Sequence, residues 1–170
     1  MRRRYDTDYY RDRIERVLDA MPDAGIGTDI IVGFPGETTR DFDRSFQFVE
    51  ALPLSYFHVF PYSVRAGTTA AKLPGKVAAG ETKHRAALVR ELGEHKRERF
   101  AYKFVGNRLK VLFEESTEDG ELGGYSRNYV RVLTRGSADR LNRELEVEAS
   151  FAKGARLVGE IVEVRETPAA

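Results

Sequence analysis

Apolar residues recur at helical spacing near the start of the chain, with Tyr10, Ile14, Val17 and Leu18 on one stripe, Thr7 placed to cap the first turn and Pro22 to stop the last. The pattern then changes to Ile26-Gly27-Thr28-Asp29-Ile30-Ile31-Val32, β-branched and almost wholly apolar, which predicts a strand buried on both faces of a parallel sheet. Gly33-Phe34-Pro35-Gly36-Glu37 reads as a turn. Thr38 and Asp41 stand three apart, as in a capping box, and Phe42, Phe46 and Val49 carry a second helix to about Ala51. Tyr56-Phe57-His58-Val59-Phe60 predicts another strand, ended by Pro61. Helix, strand, helix, strand over residues 7–60 is the alternation that builds parallel α/β sheets.

A charged helix is predicted from Val77 to about Phe104, with Leu88, Leu92, His95, Arg99 and Tyr102 on or near one face. Eight basic residues between Lys76 and Lys103 stand against four acidic ones, so its plain reading is a solvated surface laced with i,i+4 pairs, with Lys83 and Arg90 in water. Beyond Gly106 the grammar becomes that of short strands separated by Gly, Asn and Asp turns. They are Leu109–Phe113, Glu121–Tyr125, Tyr129–Val132, Leu145–Ala149 and Gly159–Val164. Five such strands predict a small antiparallel barrel of the oligonucleotide-binding (OB) type, whose closure hides the strand edges. The expected division is an α/β part over residues 1–104 followed by an all-β part over residues 105–170.

Composition narrows the function classes. Across 170 residues, 28 Lys+Arg meet 27 Asp+Glu, which excludes a polybasic tail or an acidic solvating segment. The longest apolar runs are strand-sized, far short of the roughly 20 residues that cross a bilayer. Tyr5-Asp6-Thr7-Asp8 follows the basic Met1-Arg2-Arg3-Arg4 where a signal peptide needs apolar residues, so a cytoplasmic chain with no membrane partner is expected. There is no cysteine, which removes disulfides, thiolate zinc sites, cysteine nucleophiles and thiolate-held iron–sulfur clusters from the chemistry of this chain. No Ser-His-Asp, His-x-x-x-His or phosphate-loop lysine pattern occurs.

Ligands in parallel α/β architectures gather beyond the carboxyl ends of strands. Two loops leave such ends here: Gly33–Glu37 and Pro61–Thr68. In the first, glycines permit close backbone approach and Glu37 is an acceptor for a ribose or an amine; an ordinary Gly-Pro turn accounts for it equally well. Asp29 is costly to bury among Ile26, Ile30, Ile31 and Val32 unless it has partners. His58 reads as a satisfied core residue, and His84 and His95 as helix-surface residues. Spacing alone names no reaction.

The residues themselves resemble one family. The runs Gly27-Thr28-Asp29-Ile30-Ile31-Val32-Gly33-Phe34-Pro35-Gly36-Glu37-Thr38 and His58-Val59-Phe60-Pro61-Tyr62-Ser63-Val64-Arg65-Ala66-Gly67-Thr68-Thr69-Ala70-Ala71, with the opening Met1-Arg2-Arg3-Arg4-Tyr5, are similar to the radical S-adenosylmethionine (SAM) methylthiotransferases. Residues 105–165, with Gly124-Tyr125-Ser126-Arg127-Asn128-Tyr129-Val130-Arg131-Val132, resemble the TRAM domain that closes those proteins. The wording His-Val-Phe-Pro-Tyr-Ser resembles the branch acting on threonylcarbamoyladenosine beside the tRNA anticodon, at position 37.

The resemblance implies the end of a radical SAM (β/α) barrel followed by an RNA-binding TRAM barrel. It implies a reaction in which a 5′-deoxyadenosyl radical removes hydrogen from C2 of adenine before sulfur and methyl are added. By the same resemblance, Arg3, Thr28, Asp29, Gly33, Phe34, Pro35, Gly36, Glu37 and Phe60 are candidates for the cofactor. Tyr62, Ser63 and Arg65 are candidates for the substrate, and Arg127, Asn128, Tyr129 and Arg131 for RNA. The last set combines guanidinium charge, an amide and an aromatic face, as phosphate contacts and base stacking require. Residues 104–170 carry ten basic and twelve acidic side chains, so an RNA surface must be a local patch.

The family holds its [4Fe–4S] clusters on cysteine triads that this sequence lacks, and Met1 falls in mid-barrel of the family pattern. The expectation is therefore the C-terminal part of a longer enzyme, partnered by the N-terminal half of the same polypeptide and by a tRNA anticodon stem-loop. Alone, such a part is expected to be inactive. The competing reading is a stand-alone RNA-binding TRAM module on a degraded barrel half.

Overall fold

The computed structural model describes residues 4–117 and 119–162. Arg3, and Glu163 and Val164 at the end of the last expected strand, lie outside the described residues. Two compact units divide the chain, Met1–Lys96 and Arg97–Ala170.

The first unit contains α1 (Thr7–Ala20), β1 (Gly27–Val32), α2 (Thr39–Ala51), β2 (Tyr56–Pro61) and most of α3 (Ala79–Tyr102), which runs across the division. Asp6, not Thr7, caps α1: its extended backbone lets the carboxylate accept the Tyr9 N–H at 2.9 Å. At α2 the capping box forms as the spacing predicts. The Asp41 N–H donates to the Thr38 hydroxyl at 3.2 Å, and the Asp41 carboxylate accepts the Thr38 N–H at 3.1 Å. β1 and β2 pair in parallel from Gly27 opposite Tyr56 to Val32 opposite Pro61, which makes β1, α2 and β2 a βαβ unit. Ile14, Val32, Phe42, Leu52, Leu54, Phe57, Ala86 and Val89 form its core.

Two expectations for these strands are corrected. Within β1 only Val32 is buried, while Asp29 is exposed and Ile31 is 41% exposed. Among the described residues the sheet has two strands, so one edge of β1 is uncovered and Asp29 avoids the cost of burial. His58 is likewise exposed, its ring edge-on to Tyr56 at 5.4 Å.

The buried face of α3 is also not the one expected. Thr82, Arg85, Ala86, Val89, Gly93 and Lys96 are buried, Leu88 and Leu92 are half-buried, and His95, Arg99 and Tyr102 are exposed. Small residues let the helix press close: a Cβ added to Gly93 would stand 3.2 Å from the Phe57 ring. Two cations are buried because their donors are satisfied. Arg85 meets carboxylates, and Lys96 Nζ donates to the carbonyls of Glu50 at 2.8 Å and Leu52 at 2.6 Å at the end of α2.

The second unit is a closed barrel of β3 (Arg108–Ser116), β4 (Glu121–Ser126), β5 (Arg131–Arg135), β6 (Glu144–Lys153) and β7 (Arg156–Ile161), in the order β3-β4-β5-β7-β6. It is mixed rather than wholly antiparallel, since β5 and β7 pair in parallel to close the ring. Alternation sends Val111, Phe113, Leu122, Val132, Val147, Ala149 and Leu157 inward, where they pack with Ala101 and Phe104. Tyr129 and Val130, expected at the start of the third strand, belong instead to the turn before β5. Ser126 shapes that turn: its N–H donates to the Val130 carbonyl, and its hydroxyl oxygen accepts the Val130 N–H at 3.0 Å.

Candidate functional site

The loop after β1 is bent by glycines at φ +76° (Gly33) and +87° (Gly36). A Cβ on Gly33 would overlap the Thr82 side chain of α3, whereas one on Gly36 would enter open space, although the Gly36 N–H itself donates to the Gly75 carbonyl at 2.8 Å. Glu37 folds back on this loop. Its Oε2 accepts the Gly33 N–H at 2.8 Å and pairs with Nη1 of Arg85 at 2.7 Å; Arg85 also donates to the Glu37 carbonyl at 3.2 Å and to Glu81 Oε1 at 2.7 Å. Burial opposes the charge on Arg85, but its bonds to Glu37 and Glu81 outweigh that and raise its pKa. Glu37 is thus engaged inside the protein, with one carboxylate oxygen given over to loop and helix.

The residues that the family resemblance assigns to cofactor and substrate are divided between surroundings. Thr28, Asp29 and Glu37 line a cavity of about 880 Å³ along β1, with Tyr5, Tyr10 and His58. Gly33, Pro35 and Tyr62 line a separate cavity of about 330 Å³. Phe34 stacks edge-on against Tyr62 at 5.3 Å. Phe60 is half exposed, and Ser63 and Arg65 are exposed. The larger cavity has the size of a ligand pocket and a carboxylate and hydroxyl on its wall, so it suits a ribose-bearing ligand such as SAM. An iron–sulfur cluster finds no such fit, because the chain has no cysteine, and no three His, Asp or Glu side chains converge for a metal among the described residues.

On the barrel the structure brings the RNA candidates together. Register places Leu112 of β3 opposite Tyr125 of β4, and Tyr125 opposite Arg131 of β5, in one outward row. Leu112 and Tyr125 are each 42% exposed. The Arg131 guanidinium lies 5.1 Å from the Tyr125 ring centroid, and the Tyr129 ring 6.5 Å from it. Tyr129 is 76% exposed and holds φ +64°, a left-handed backbone that a bulky residue rarely adopts. Asn128 lies in the same turn, its Oδ1 accepting from the Ser126 hydroxyl at 2.6 Å.

Both arginines carry internal counter-ions. Arg127 holds Glu144 in a bidentate fork, with Nε and Nη2 each at 2.7 Å, and Arg131 pairs with Glu115. These bonds raise both arginine pKa values and lower those of Glu144 and Glu115. Tyr125, Glu115 and Glu144 were beyond sequence reasoning as site residues. A period-two count could have aligned Tyr125 with Leu112 only with the strand register in hand. Arg85 was equally hidden, because its partner Glu37 is 48 residues away.

No protein-family model matches the chain. It is 31% identical over 170 residues to the threonylcarbamoyladenosine tRNA methylthiotransferase MtaB of Bacillus subtilis, covering 98% of this chain and 38% of that protein. It is 35% identical over 136 residues to the protein of the same name from Aquifex aeolicus, covering 80% of this chain and 32% of the relative. Against the tRNA-2-methylthio-N(6)-dimethylallyladenosine synthase of Clavibacter michiganensis the identity is 36% over 170 residues, all of this chain and 31% of the relative. The chain thus spans about a third of the length of these relatives. Likeness over nearly its whole length, joined to a βαβ unit followed by a closed five-stranded barrel, identifies the chain as a member of the radical SAM tRNA methylthiotransferase family, matching the C-terminal part of those proteins.

Proposed function

We propose that this chain supplies the strand-end loops of a SAM pocket and the RNA-binding barrel of a tRNA methylthiotransferase, with the TRAM barrel taken from residue 105 and the end of the (β/α) barrel before it. The observation that carries the RNA reading is the outward row Leu112, Tyr125, Arg131 with Tyr129 beside it. Exposed aromatic faces next to guanidinium groups are what single-stranded bases and their phosphates use. Tyr129, at a left-handed backbone and largely exposed, presents its ring to solvent rather than to the core. Arg127 and Arg131 sit on carboxylates in the free chain, so RNA phosphates take the place of Glu144 and Glu115.

Thr28, Asp29, Gly33, Phe34, Pro35, Gly36, Glu37 and Phe60 are assigned to the cofactor side, and Tyr62, Ser63 and Arg65 to the substrate side. SAM bound there would supply a methyl group and a deoxyadenosyl radical. This chain's own residues bind and orient, and no step that needs a cluster ligand is theirs. The RNA is the anticodon stem-loop of a tRNA, met in the cytoplasm. Among the described residues no helix is long and apolar enough to cross a membrane.

The substrate proposed is adenosine 37 carrying threonylcarbamoyl, supported by the wording His58–Ser63 and by relatives so named. Stem-loops bearing threonylcarbamoyl, dimethylallyl or no group on that adenosine separate the choices. The threonylcarbamoyl form should bind most tightly, and a preference for dimethylallyl would reject it. A second reading, an RNA-binding module without chemistry, draws on the absence of cysteine. The reading frame upstream of Met1 discriminates: in-frame cysteine triads reject the module, and a start at Met1 rejects the enzyme part.

A further inference from the structure

The smaller cavity of the first unit, about 330 Å³, is lined by Pro61 at the end of β2, by Gly33 and Tyr62 from the strand-end loops and by Lys76, Lys83 and Arg90 from α3 and the segment before it. Three cations share its wall and no lining residue is acidic. Lys76 and Lys83 make no ion pair or hydrogen bond among the described residues, and Arg90 makes one long bond, from Nη2 to the Val59 carbonyl at 3.4 Å. Like charges gathered around a concavity raise the local positive potential there and favour entry of an anion. Three arginines of the barrel, Arg127, Arg131 and Arg108, by contrast have carboxylate partners in Glu144, Glu115 and Glu148. The cavity offers no such partner to its own three cations. Its wall also holds Tyr62, whose hydroxyl is buried with no partner, although such groups are nearly always satisfied. A phenol hydroxyl and three cations have one need in common, an acceptor-rich anion.

We propose that this cavity is a phosphate site, occupied by a backbone phosphate when the chain holds RNA; the choice of RNA rests on the reading above. A backbone phosphodiester offers several acceptor oxygens and no donor proton, which suits ammonium, guanidinium and phenol donors together. The site would lend the first unit its own hold on RNA, independent of base stacking on the barrel.

The test uses the whole chain and two probes, an anticodon stem-loop followed by fluorescence anisotropy across a salt series and inorganic phosphate followed by NMR. Lys76→Ala and Lys83→Ala should each weaken the stem-loop about 3- to 10-fold at low salt and lower the slope of log affinity against log salt by about one contact. Tyr62→Phe should weaken it without lowering thermal stability, because the ring stays and only an unpartnered hydroxyl is lost. Tyr129→Ala keeps the two readings apart: if it weakens binding while the three cavity variants bind as the parent does, the cavity proposal fails and the barrel reading stands. Phosphate shifting the Lys83 and Tyr62 resonances while the variants leave RNA binding unchanged would overturn the RNA occupant in favour of a free phosphate-bearing ligand. Silence in both probes would overturn the site.

Discussion

Nη1 of Arg85 lies 2.7 Å from Oε2 of Glu37, inside the protein, so a helix 48 residues downstream fixes the loop at the carboxyl end of β1. The same carboxylate oxygen accepts the Gly33 N–H, and the same guanidinium reaches Glu81 and stands over the Phe42 ring at 5.2 Å. Arg85 therefore decides whether the Gly33–Glu37 loop keeps its shape.

Replacing Arg85 by alanine removes a buried guanidinium and leaves the half-buried Glu37 with only the Gly33 N–H, and should cost about 2–4 kcal/mol in urea unfolding. Arg85→Lys restores a charge but not the fork and should recover only part of it. A loss below about 1 kcal/mol for the alanine variant would show that the pair is dispensable.

The two loop glycines should respond differently to alanine. At Gly33 the backbone is left-handed and the methyl overlaps Thr82, so packing and backbone penalties combine. At Gly36 only the backbone penalty of roughly 1 kcal/mol applies, because the space is open. Equal losses of thermal stability would contradict this reading of the contact between loop and α3.

The α2 cap carries a pH dependence. Bonds from the Thr38 hydroxyl and then its backbone N–H hold the Asp41 pKa below its ordinary value. Since the folded pKa is depressed, the contribution is complete above the ordinary aspartate pKa near 4 and is lost as pH falls through the folded value. Amide protection in the first turn of α2, measured relative to the intrinsic exchange rate at each pH, should fall below about pH 4 in the parent. In Asp41→Asn it should show no such pH-dependent fall, and Thr38→Ala should cost about 1 kcal/mol at neutral pH.

How far the sequence reached depended on whether a feature was local. Helix α1, the Thr38–Asp41 box and the βαβ order followed from spacing within a few residues. Strand burial in β1 did not, since alternation and apolarity cannot report how many neighbours a strand has. The face of α3 was missed because its buried positions include Arg85, Lys96 and Gly93, which a count of apolar residues passes over. The arginines of the barrel were legible as a motif, yet their carboxylates were not, because Glu115 and Glu144 come from other strands.

Those carboxylates yield a further expectation. Glu144→Gln removes the competitor for Arg127 and a charge that repels phosphate, so stem-loop affinity should rise several-fold while thermal stability scarcely changes, the pair being solvent-exposed. Weaker binding would mean that Glu144 positions Arg127 for RNA instead of competing with it.

The most direct test of the barrel interface is the stem-loop dissociation constant of Tyr129→Gly measured across a salt series beside the parent chain. Glycine relieves the left-handed backbone at φ +64°, so the fold should be at least as stable, while loss of the ring removes about 1–3 kcal/mol of stacking with little change in salt slope. That combination, roughly a fivefold or greater loss of affinity in a chain no less stable, is the predicted result. Unchanged affinity in a well-folded Tyr129→Gly chain would contradict the account.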